Sequence, residues 1–180
     1  MPKYIAFLRA INVGSHLVKM DQLRALFEAI EFENVETFIA SGNVIFDSKS
    51  QNVGALEKKI GKHLQGSLGY EVTTFIRSLD EIAKISAFKP FSDAELTGDG
   101  HQLYVVFIGE KPAAKTVEKL MSFRSDIDDF CCNEREVYWL YRRKAGDSKF
   151  QGPLLEKSLG LQATVRNVNT VRRLTAKYCR

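Results

Sequence analysis

The stretch VETFIASGNVIFDS, residues 35–48, holds two runs rich in β-branched and aromatic residues, separated by Gly42 and Asn43. Such runs are typical of strands, and glycine next to asparagine is typical of a two-residue hairpin turn. We therefore predict that strands over residues 35–41 and 43–48 pair antiparallel. This hairpin forms the centre of the predicted first half of the chain.

Helical patterns lie on both sides of the hairpin. A strand over residues 4–9 leads into a helix over 19–30, and the hairpin is followed by a helix over 53–65 and a strand over 70–77. The first helix has an apolar stripe at three- and four-residue spacing, formed by Met20, Leu23, Leu26, Phe27 and Ile30. The predicted order of elements is β-α-β-β-α-β, and the stripe needs a sheet to cover.

The same order recurs in the second half of the chain. Ser78 and Glu81 form a capping-box pattern at the start of a helix over 79–88, and the turn-rich residues 90–101 read as a linker. Beyond the linker we predict a strand over 102–109, a helix over 113–124, strands over 126–132 and 136–142, a helix over 149–159, a strand over 163–166 and a final helix over 170–179.

This order predicts an α+β protein with two tandem ferredoxin-like (α/β-plait, βαββαβ) halves packed together and a C-terminal helix. The predicted halves are residues 1–89 and 102–180, joined by the linker.

Composition restricts the class of protein. The 180 residues are 44% hydrophobic and 27% charged, as expected for a globular chain. No apolar run approaches the roughly 18 residues of a membrane span, and the first residues lack a signal-peptide cleavage site. We therefore expect a cytoplasmic protein with no membrane partner.

The positive charge is concentrated near the C-terminus. The net charge is +4, and residues 142–180 hold ten lysines or arginines against two acidic residues. A basic segment of this kind favours an anionic partner, either a phosphate group or a nucleic acid, although a solvated basic face explains it equally well.

The cysteines and histidines show no metal-binding spacing. Cys131 and Cys132 are adjacent in a predicted strand and point to opposite faces, so that they favour neither a disulfide nor a shared metal. We predict no metal site and no cofactor. Asp126 and Asp128 share one face of the same strand, where we expect a solvated, charged edge rather than a magnesium site.

The loop before the first helix, AINVGSHLVKMDQL at residues 10–23, is a candidate anion site. Its single Gly14 excludes both common nucleotide-binding fingerprints. Arg9, Asn12, the Gly14 amide and Lys19 still suit an anion. A lysine at a helix N-terminus opposes the helix dipole, so Lys19 indicates a negative neighbour, which is either a ligand or a carboxylate of the protein.

A second candidate is ATVRNVNTVRRL, residues 163–174. Asn167 or Asn169 is expected to cap the last helix. Together with Arg166 and Thr170 they exceed what a cap requires, and side-chain amides with a guanidinium suit phosphate or carboxylate groups. A ligand site and a structural network are both consistent with this pattern.

Two other motifs have simpler explanations. Ser148 and Gln151 form a capping-box pattern, so Ser148 is expected to cap the following helix rather than act as a nucleophile. Trp139 and Tyr141 share a strand face beside basic residues, which suits a single-stranded nucleic acid, whereas the alternative is that Trp139 packs against helices.

Four segments together resemble the bacterial family of domain of unknown function 1697: LRAINVGSHLVKM, TFIASGNVIFDS, SKFQGPLLEKSLG and ATVRNVNTVRRL. The resemblance implies a tandem α/β-plait fold and no established activity. The positions that match the family pattern are Leu8, Arg9, Ile11, Asn12, Val13, Gly14, Lys19, Met20, Ser41, Gly42, Asn43, Phe46, Ser148, Lys149, Ala163, Thr164, Arg166, Asn167, Asn169 and Thr170. Ala10 and Ser15 stand where the family commonly has glycine, and Val168 where it commonly has tryptophan.

The functional prediction is binding of an anionic ligand, a nucleotide or other phosphorylated metabolite, in a polar cleft between the halves. The predicted ligand-binding residues are Arg9, Asn12, Gly14, Lys19, Asn43, Lys149, Arg166, Asn167 and Asn169. No nucleophile and base are paired in the sequence, so no catalytic residue is assigned. The alternatives are RNA or single-stranded DNA binding along the basic C-terminal segment and a non-enzymatic protein-interaction module.

Overall fold

The computed structural model describes residues 1–179, and in that range eight strands alternate with seven α-helices. The first series is β1 (Lys3–Leu8), α1 (Met20–Glu28), β2 (Glu33–Thr37), β3 (Asn43–Asp47), α2 (Val53–Leu68), β4 (Thr74–Ser78) and α3 (Leu79–Ala87). A short helix α4 (Asp93–Leu96) precedes the second series, which is β5 (His101–Ile108), α5 (Ala114–Met121), β6 (Asp128–Asn133), β7 (Glu136–Arg142), α6 (Pro153–Leu159), β8 (Ala163–Asn167) and α7 (Val168–Tyr178).

The chain divides into two units. The first consists of Met1–Ala83 with the end of the chain from Lys177, and the second of Lys84–Ala176. Each unit contains one four-stranded sheet, with strand orders β2-β3-β1-β4 and β6-β7-β5-β8, and every neighbouring pair is antiparallel. The predicted α+β class is confirmed.

Apolar periodicity explains how helices cover the first sheet. Leu23 and Phe27 of α1 and Ile60 of α2 are fully buried, in one cluster with Ala6 of β1 and Phe46 of β3. The stripe predicted on the first helix is therefore its buried face, because residues three and four apart lie on the same side of a helix. In the second unit the corresponding cluster joins α5 and α6 to the sheet.

The central hairpin forms as predicted, but its turn is longer than expected. The connection covers residues 38–42 because β2 ends at Thr37 and not at residue 41, whereas Asn43 begins β3 as in the predicted strand 43–48. The Asn43 side chain is fully buried and donates through Nδ2 to the carbonyl of Phe38 at 3.0 Å and to Oγ of Ser41 at 2.8 Å. A five-residue loop closed by a buried amide therefore replaces the predicted two-residue turn.

Other boundaries also differ from prediction. β4 starts at Thr74 and not at residue 70, since α2 continues to Leu68 and ends at Gly69 in the left-handed conformation. The predicted linker contains α4, which starts with a capping box formed by Ser92 and Glu95. The capping box of Ser78 and Glu81 is confirmed by reciprocal hydrogen bonds of 2.8 and 3.2 Å.

The predicted role of Ser148 as a helix cap is wrong. α6 begins at Pro153, and its N-cap residue Gly152 makes no side-chain cap. The Ser148 hydroxyl donates instead to Oδ1 of Asp128 at 2.7 Å and accepts from the amide of Phe150. The hydroxyl is therefore committed to a partner distant in sequence.

The predicted solvated edge of Asp126 and Asp128 is wrong for Asp128, whereas Asp126 is exposed but lies before β6. Asp128 and Asp129 are buried. Asp128 accepts hydrogen bonds from Ser148 and from Nε1 of Trp139, whereas Asp129 pairs with Arg124. Burial of these carboxylates depends on donors that only the folded chain supplies.

The two series repeat each other in register. Arg77 lies opposite Ile5 in the first sheet, and Arg166 lies opposite Val105 at the corresponding place in the second. Each arginine is the last but one residue of its strand, and the helix follows directly, α3 after β4 and α7 after β8. TFIRSLDEI at residues 74–82 thus corresponds to ATVRNVNTV at residues 163–171. Among residues 1–179, the helices are too short or too polar to span a bilayer.

Candidate functional site

The second unit has a small polar pocket where β8 passes into α7, which we call the α7 pocket. Its volume is about 260 Å³. The lining residues are Leu96, His101, Gln102, Leu103, Asn167, Val168, Asn169 and Arg172. Five of these residues are polar, including one arginine, and none is acidic.

Strand order brings these residues together. β5 and β8 are neighbours, with Tyr104 opposite Asn167, so the first residues of β5 lie beside the last residue of β8. Asn169 and Arg172 are three residues apart on α7 and therefore lie on one face of the helix. The pocket thus combines two segments that are more than sixty residues apart in the sequence.

Hydrogen bonds hold the lining side chains in place. Oδ1 of Asn167 accepts from the amide of Asn169 at 2.9 Å, and Oδ1 of Asn169 accepts from Arg172 at 3.4 Å. Oε1 of Gln102 accepts from the hydroxyl of Tyr104 at 2.5 Å. Because the carbonyl oxygens of these amides are used, their NH₂ groups are the ends available to a ligand, and they are donors.

The tautomer of His101 follows from its neighbour. Nδ1 of His101 lies 2.5 Å from the carbonyl oxygen of Glu95. A carbonyl only accepts hydrogen bonds, so Nδ1 carries the proton and Nε2 is the ring atom available to a ligand. With the proton on Nδ1, Nε2 is an acceptor for a ligand in the pocket.

The dipole of α7 has no compensating charge in its own first turn. α7 has no acidic residue there, whereas α3, its counterpart in the first unit, has Asp80 and Glu81. Glu81 also accepts a hydrogen bond from the amide of Ser78. Acidic groups at a helix N-terminus satisfy its partial positive charge, so α3 supplies its own anion and α7 does not.

Two predicted ligand-binding residues, Asn167 and Asn169, line the α7 pocket. Arg166 does not line it: the side chain is buried and donates to Oγ1 of Thr164 and the carbonyl of Val165. Burial also lowers the pKa of Arg166 to about 10. Lys149 is exposed in the loop before α6 and does not line the pocket either.

The predicted residues of the first unit have mainly structural contacts. Nδ2 of Asn12 donates to the carbonyl of Ala40 at 2.9 Å, and its Oδ1 accepts from the amide of Val18 at 2.8 Å. Asn12 therefore ties the opening loop to the hairpin, and buried Asn43 closes the hairpin loop. Arg9 follows β1 and is half-buried, with its amide bonded to the carbonyl of Thr73.

Gly14 and Lys19 are the predicted ligand-binding residues of the opening loop that are exposed. Gly14 has a φ of +59°, and nothing lies within 4 Å of the position that a Cβ would occupy. Lys19 stands at the N-cap position of α1, and within residues 1–179 no carboxylate pairs with its ammonium group. The alternative of a protein carboxylate opposite Lys19 is therefore not supported. The cleft between the halves stays a prediction.

The sequence prediction missed His101, Gln102 and Arg172. Arg172 could have been predicted, because the spacing of Asn169 and Arg172 places both on one helix face. His101 and Gln102 could also have been predicted as neighbours of Asn167, since the order β-α-β-β-α-β makes the first and last strands neighbours. The expected pairing of the first and last strands of the second unit, β5 and β8, is the feature that would have indicated these residues.

A pocket of about 450 Å³ in the first unit is less suited to anions. Its lining combines two glutamates, Glu31 and Glu33, with Lys49 and Lys59. The Lys59 ammonium already donates to the carbonyl of Ile30 at 2.8 Å. Mixed charges with an occupied lysine do not select an anion.

The fold and the α7 pocket define an α+β protein with two repeated units and a polar pocket beside its last helix. The family described as protein of unknown function (DUF1697) matches residues 1–138, and the chain belongs to this family. None of the curated proteins matches the chain in sequence.

The fold is similar to that of a solved bacterial structure. It is described as the structure of conserved bacterial protein SP0830 from Streptococcus pneumoniae, and it is 18% identical in sequence with a TM-score of 0.78. The alignment covers 100% of this chain and 99% of that one. The likeness therefore extends over both units, and it concerns the fold alone.

Proposed function

We propose that the protein binds a small phosphorylated ligand in the α7 pocket. The observation that carries the proposal is the convergence of Arg172, the side-chain amides of Asn167 and Asn169, and the first turn of α7 around one pocket without an acidic residue. Amide donors, a guanidinium and a helix N-terminus are the groups that proteins use for phosphate.

The first unit serves as an internal control for this proposal. The positions that correspond to Asn169 and Arg172 are Asp80 and Ala83, so the first unit has a carboxylate and lacks the cation. The same fold therefore forms without an anion-binding set, and the polar residues of α7 are not a requirement of the repeat.

The pocket volume restricts the ligand. About 260 Å³ is below the range of roughly 300–1,000 Å³ that is usual for drug-sized ligands. A sugar phosphate or a single nucleotide is compatible with this volume, and Nε2 of His101 and the amide of Gln102 suit its hydroxyl groups. A dinucleotide exceeds it.

The nucleic-acid alternative has less support. Trp139 and Tyr141 are 5% and 9% exposed, so neither offers a face on which a base stacks. Several cations of the basic segment are already paired: Arg142 with Glu95 and Asp129, Lys144 with Asp99, and Lys177 with Glu36. The charge left for a polyanion is therefore much smaller than the sequence suggests.

We also propose that each unit is a ferredoxin-like α/β plait and that the protein acts in the cytoplasm. The strand order β2-β3-β1-β4 and its repetition in the second sheet support the first proposal, together with helices α1 and α2 on one face of the sheet.

Replacing Arg172 with glutamine is expected to weaken the binding of ribose 5-phosphate about 10- to 100-fold, because a hydrogen bond to a charged group contributes about 1.5–3 kcal/mol. Isothermal titration of the full chain measures the affinity, with ribose as the uncharged comparison. Arg173→Gln is the matched control, since it removes the same charge from the next position of α7 and leaves the pocket lining intact.

Two results would contradict the proposal. One is an equal loss of affinity in Arg172→Gln and Arg173→Gln, which would indicate general charge attraction. The other is tight binding of oligouridylate with a steep dependence on salt and no binding of ribose 5-phosphate, which is the behaviour of a nucleic-acid-binding protein.

A further inference from the structure

The outer edge of the second sheet has backbone groups without partners. β6 is the edge strand, and all six of its residues pair with β7 without a bulge. The two-residue connection 134–135 closes this hairpin on the pair Asn133 and Glu136, and hydrogen-bonded and non-hydrogen-bonded pairs alternate from there. The N–H and C=O groups of Phe130 and Cys132 therefore point away from β7.

Part of this edge is already used by the protein. The carbonyl of Asp128 accepts from the amide of Ser125 at 2.8 Å, and the amide of Phe130 donates to Oδ1 of Asp129 at 2.8 Å. The carbonyl of Phe130 and both backbone groups of Cys132 have no partner within residues 1–179. They form a short ladder of one donor and two acceptors.

A slot runs along this edge. Its volume is about 590 Å³, and β6 forms one wall. α5 contributes Val117 and Met121 to the lining, and the segment before β5 contributes Pro90 and Phe91. Apolar side chains from two elements therefore line the same slot as the free backbone groups of β6.

The corresponding edge of the first sheet is protected. The register of β2 shifts between Glu33 and Glu36, so the ladder is interrupted there by a bulge or a similar irregularity. Glu36 also binds Lys177 and the hydroxyl of Tyr178. Bulges and covering groups are the usual protection of edge strands. β6 has no bulge, and its covering groups reach only the carbonyl of Asp128 and the amide of Phe130.

The charges around the slot are balanced. Asp129 pairs with Arg124 and Arg142, and Glu95 pairs with Arg142. A small ion would have to displace these pairs, whereas an extended polypeptide satisfies the free N–H and C=O groups directly. Backbone pairing at a sheet edge with side-chain pockets beside it is an established mode of peptide recognition.

We propose that the slot along β6 binds an extended segment of another protein, which adds to the sheet through Phe130 and Cys132 and places an apolar side chain against Val117 and Met121. A second copy of the chain is a poorer occupant. In a second copy, Phe130 of β6 is buried in its own core and Asp129 pairs with its own Arg124, so that strand has no free apolar side chain to place against Val117 and Met121.

The test is a selection of random peptides of about twelve residues, displayed on phage, against the full chain. We expect enrichment of β-branched and aromatic residues at alternate positions. Binding of the selected peptide should fall about tenfold or more in Val117→Glu, because the new carboxylate has to be desolvated in the slot. Ala114→Glu is the matched control at an exposed position one turn before Val117 that does not line the slot, and it should change affinity by less than about twofold.

Hydrogen exchange in the unaltered protein gives a readout that does not depend on a variant. The selected peptide should slow exchange of the Cys132 amide about tenfold or more, since that amide gains a hydrogen bond. The proposal is overturned if no peptide is enriched, if the peptide leaves the Cys132 amide unprotected, or if Val117→Glu binds as well as Ala114→Glu. A concentration-dependent dimer that Val117→Glu dissociates would also overturn it, because the occupant would then be a second copy.

Discussion

Replacing Asp128 with alanine is expected to destabilise the protein by about 3 kcal/mol, because two buried donors lose their acceptor. Oδ1 of Asp128 accepts from Nε1 of Trp139 and from the hydroxyl of Ser148, each at 2.7 Å. Asp128 and Trp139 are 6% and 5% exposed, so water does not replace the lost acceptor. The Ser148 hydroxyl also accepts from the amide of Phe150, and the loop before α6 depends on the same network.

Urea denaturation followed by the fluorescence of Trp139 measures this loss, since the chain has one tryptophan. Asp128→Asn keeps an oxygen acceptor at the same place and is expected to lose only about 1 kcal/mol. Asp126→Ala, at an exposed neighbouring position, should stay within about 0.5 kcal/mol of the parent. Equal stabilities of Asp128→Ala and Asp126→Ala would show that the network does not stabilise the fold.

Replacing Gly42 with alanine is expected to destabilise the protein by about 2–3 kcal/mol, through backbone strain and crowding together. Gly42 has a φ of +74°, where alanine is disfavoured. A Cβ at this position would lie 3.1 Å from Cβ of Ile11 and 3.2 Å from Cβ of Leu8. Both neighbours are buried, so neither moves away easily.

Gly14→Ala separates the two causes. Gly14 also has a positive φ, but open space surrounds it. Gly14→Ala should therefore lower the free energy of unfolding only by the backbone strain, about 1 kcal/mol. If thermal or urea unfolding gives the same loss for both variants, crowding against Leu8 and Ile11 contributes nothing, and the tight approach of the hairpin to the opening loop has no energetic importance.

The order and type of the elements were predictable because they depend on local patterns. The stripe from Met20 to Ile30 and the two runs around Gly42 repeat at the periods of a helix and a strand, and these periods survive in the fold. The length of the hairpin loop was not predictable, since it depends on Asn43, whose side chain turns back to Phe38.

The misassigned polar residues have a common cause. Ser148 matched a helix-cap pattern, and Asp128 matched a solvated edge, but each is the other's hydrogen-bond partner across twenty residues of sequence. Local patterns predict a polar residue's simplest role. A buried partner supplied by the fold overrides that role, because an unpaired buried polar group is costly.

The candidate site was predicted only in part, because only some of its residues stand in a local sequence pattern. Asn167 and Asn169 stand out in the sequence because they lie close together beside a helix start, and both line the α7 pocket. His101 and Arg172 carry no local signal of equal strength. Arg166 gave a strong signal but is buried and bonded within its own strand.

The most direct test of phosphate binding at the α7 pocket is a titration of the full chain with ribose 5-phosphate, followed residue by residue through amide chemical shifts. Saturable shifts are expected at the backbone amides of Asn169 and Thr170 and at the side-chain NH₂ of Asn167, with none at the first turn of α3. Saturable shifts confined to Gly14 and Lys19, or the absence of any saturable shift, would contradict phosphate binding at this pocket.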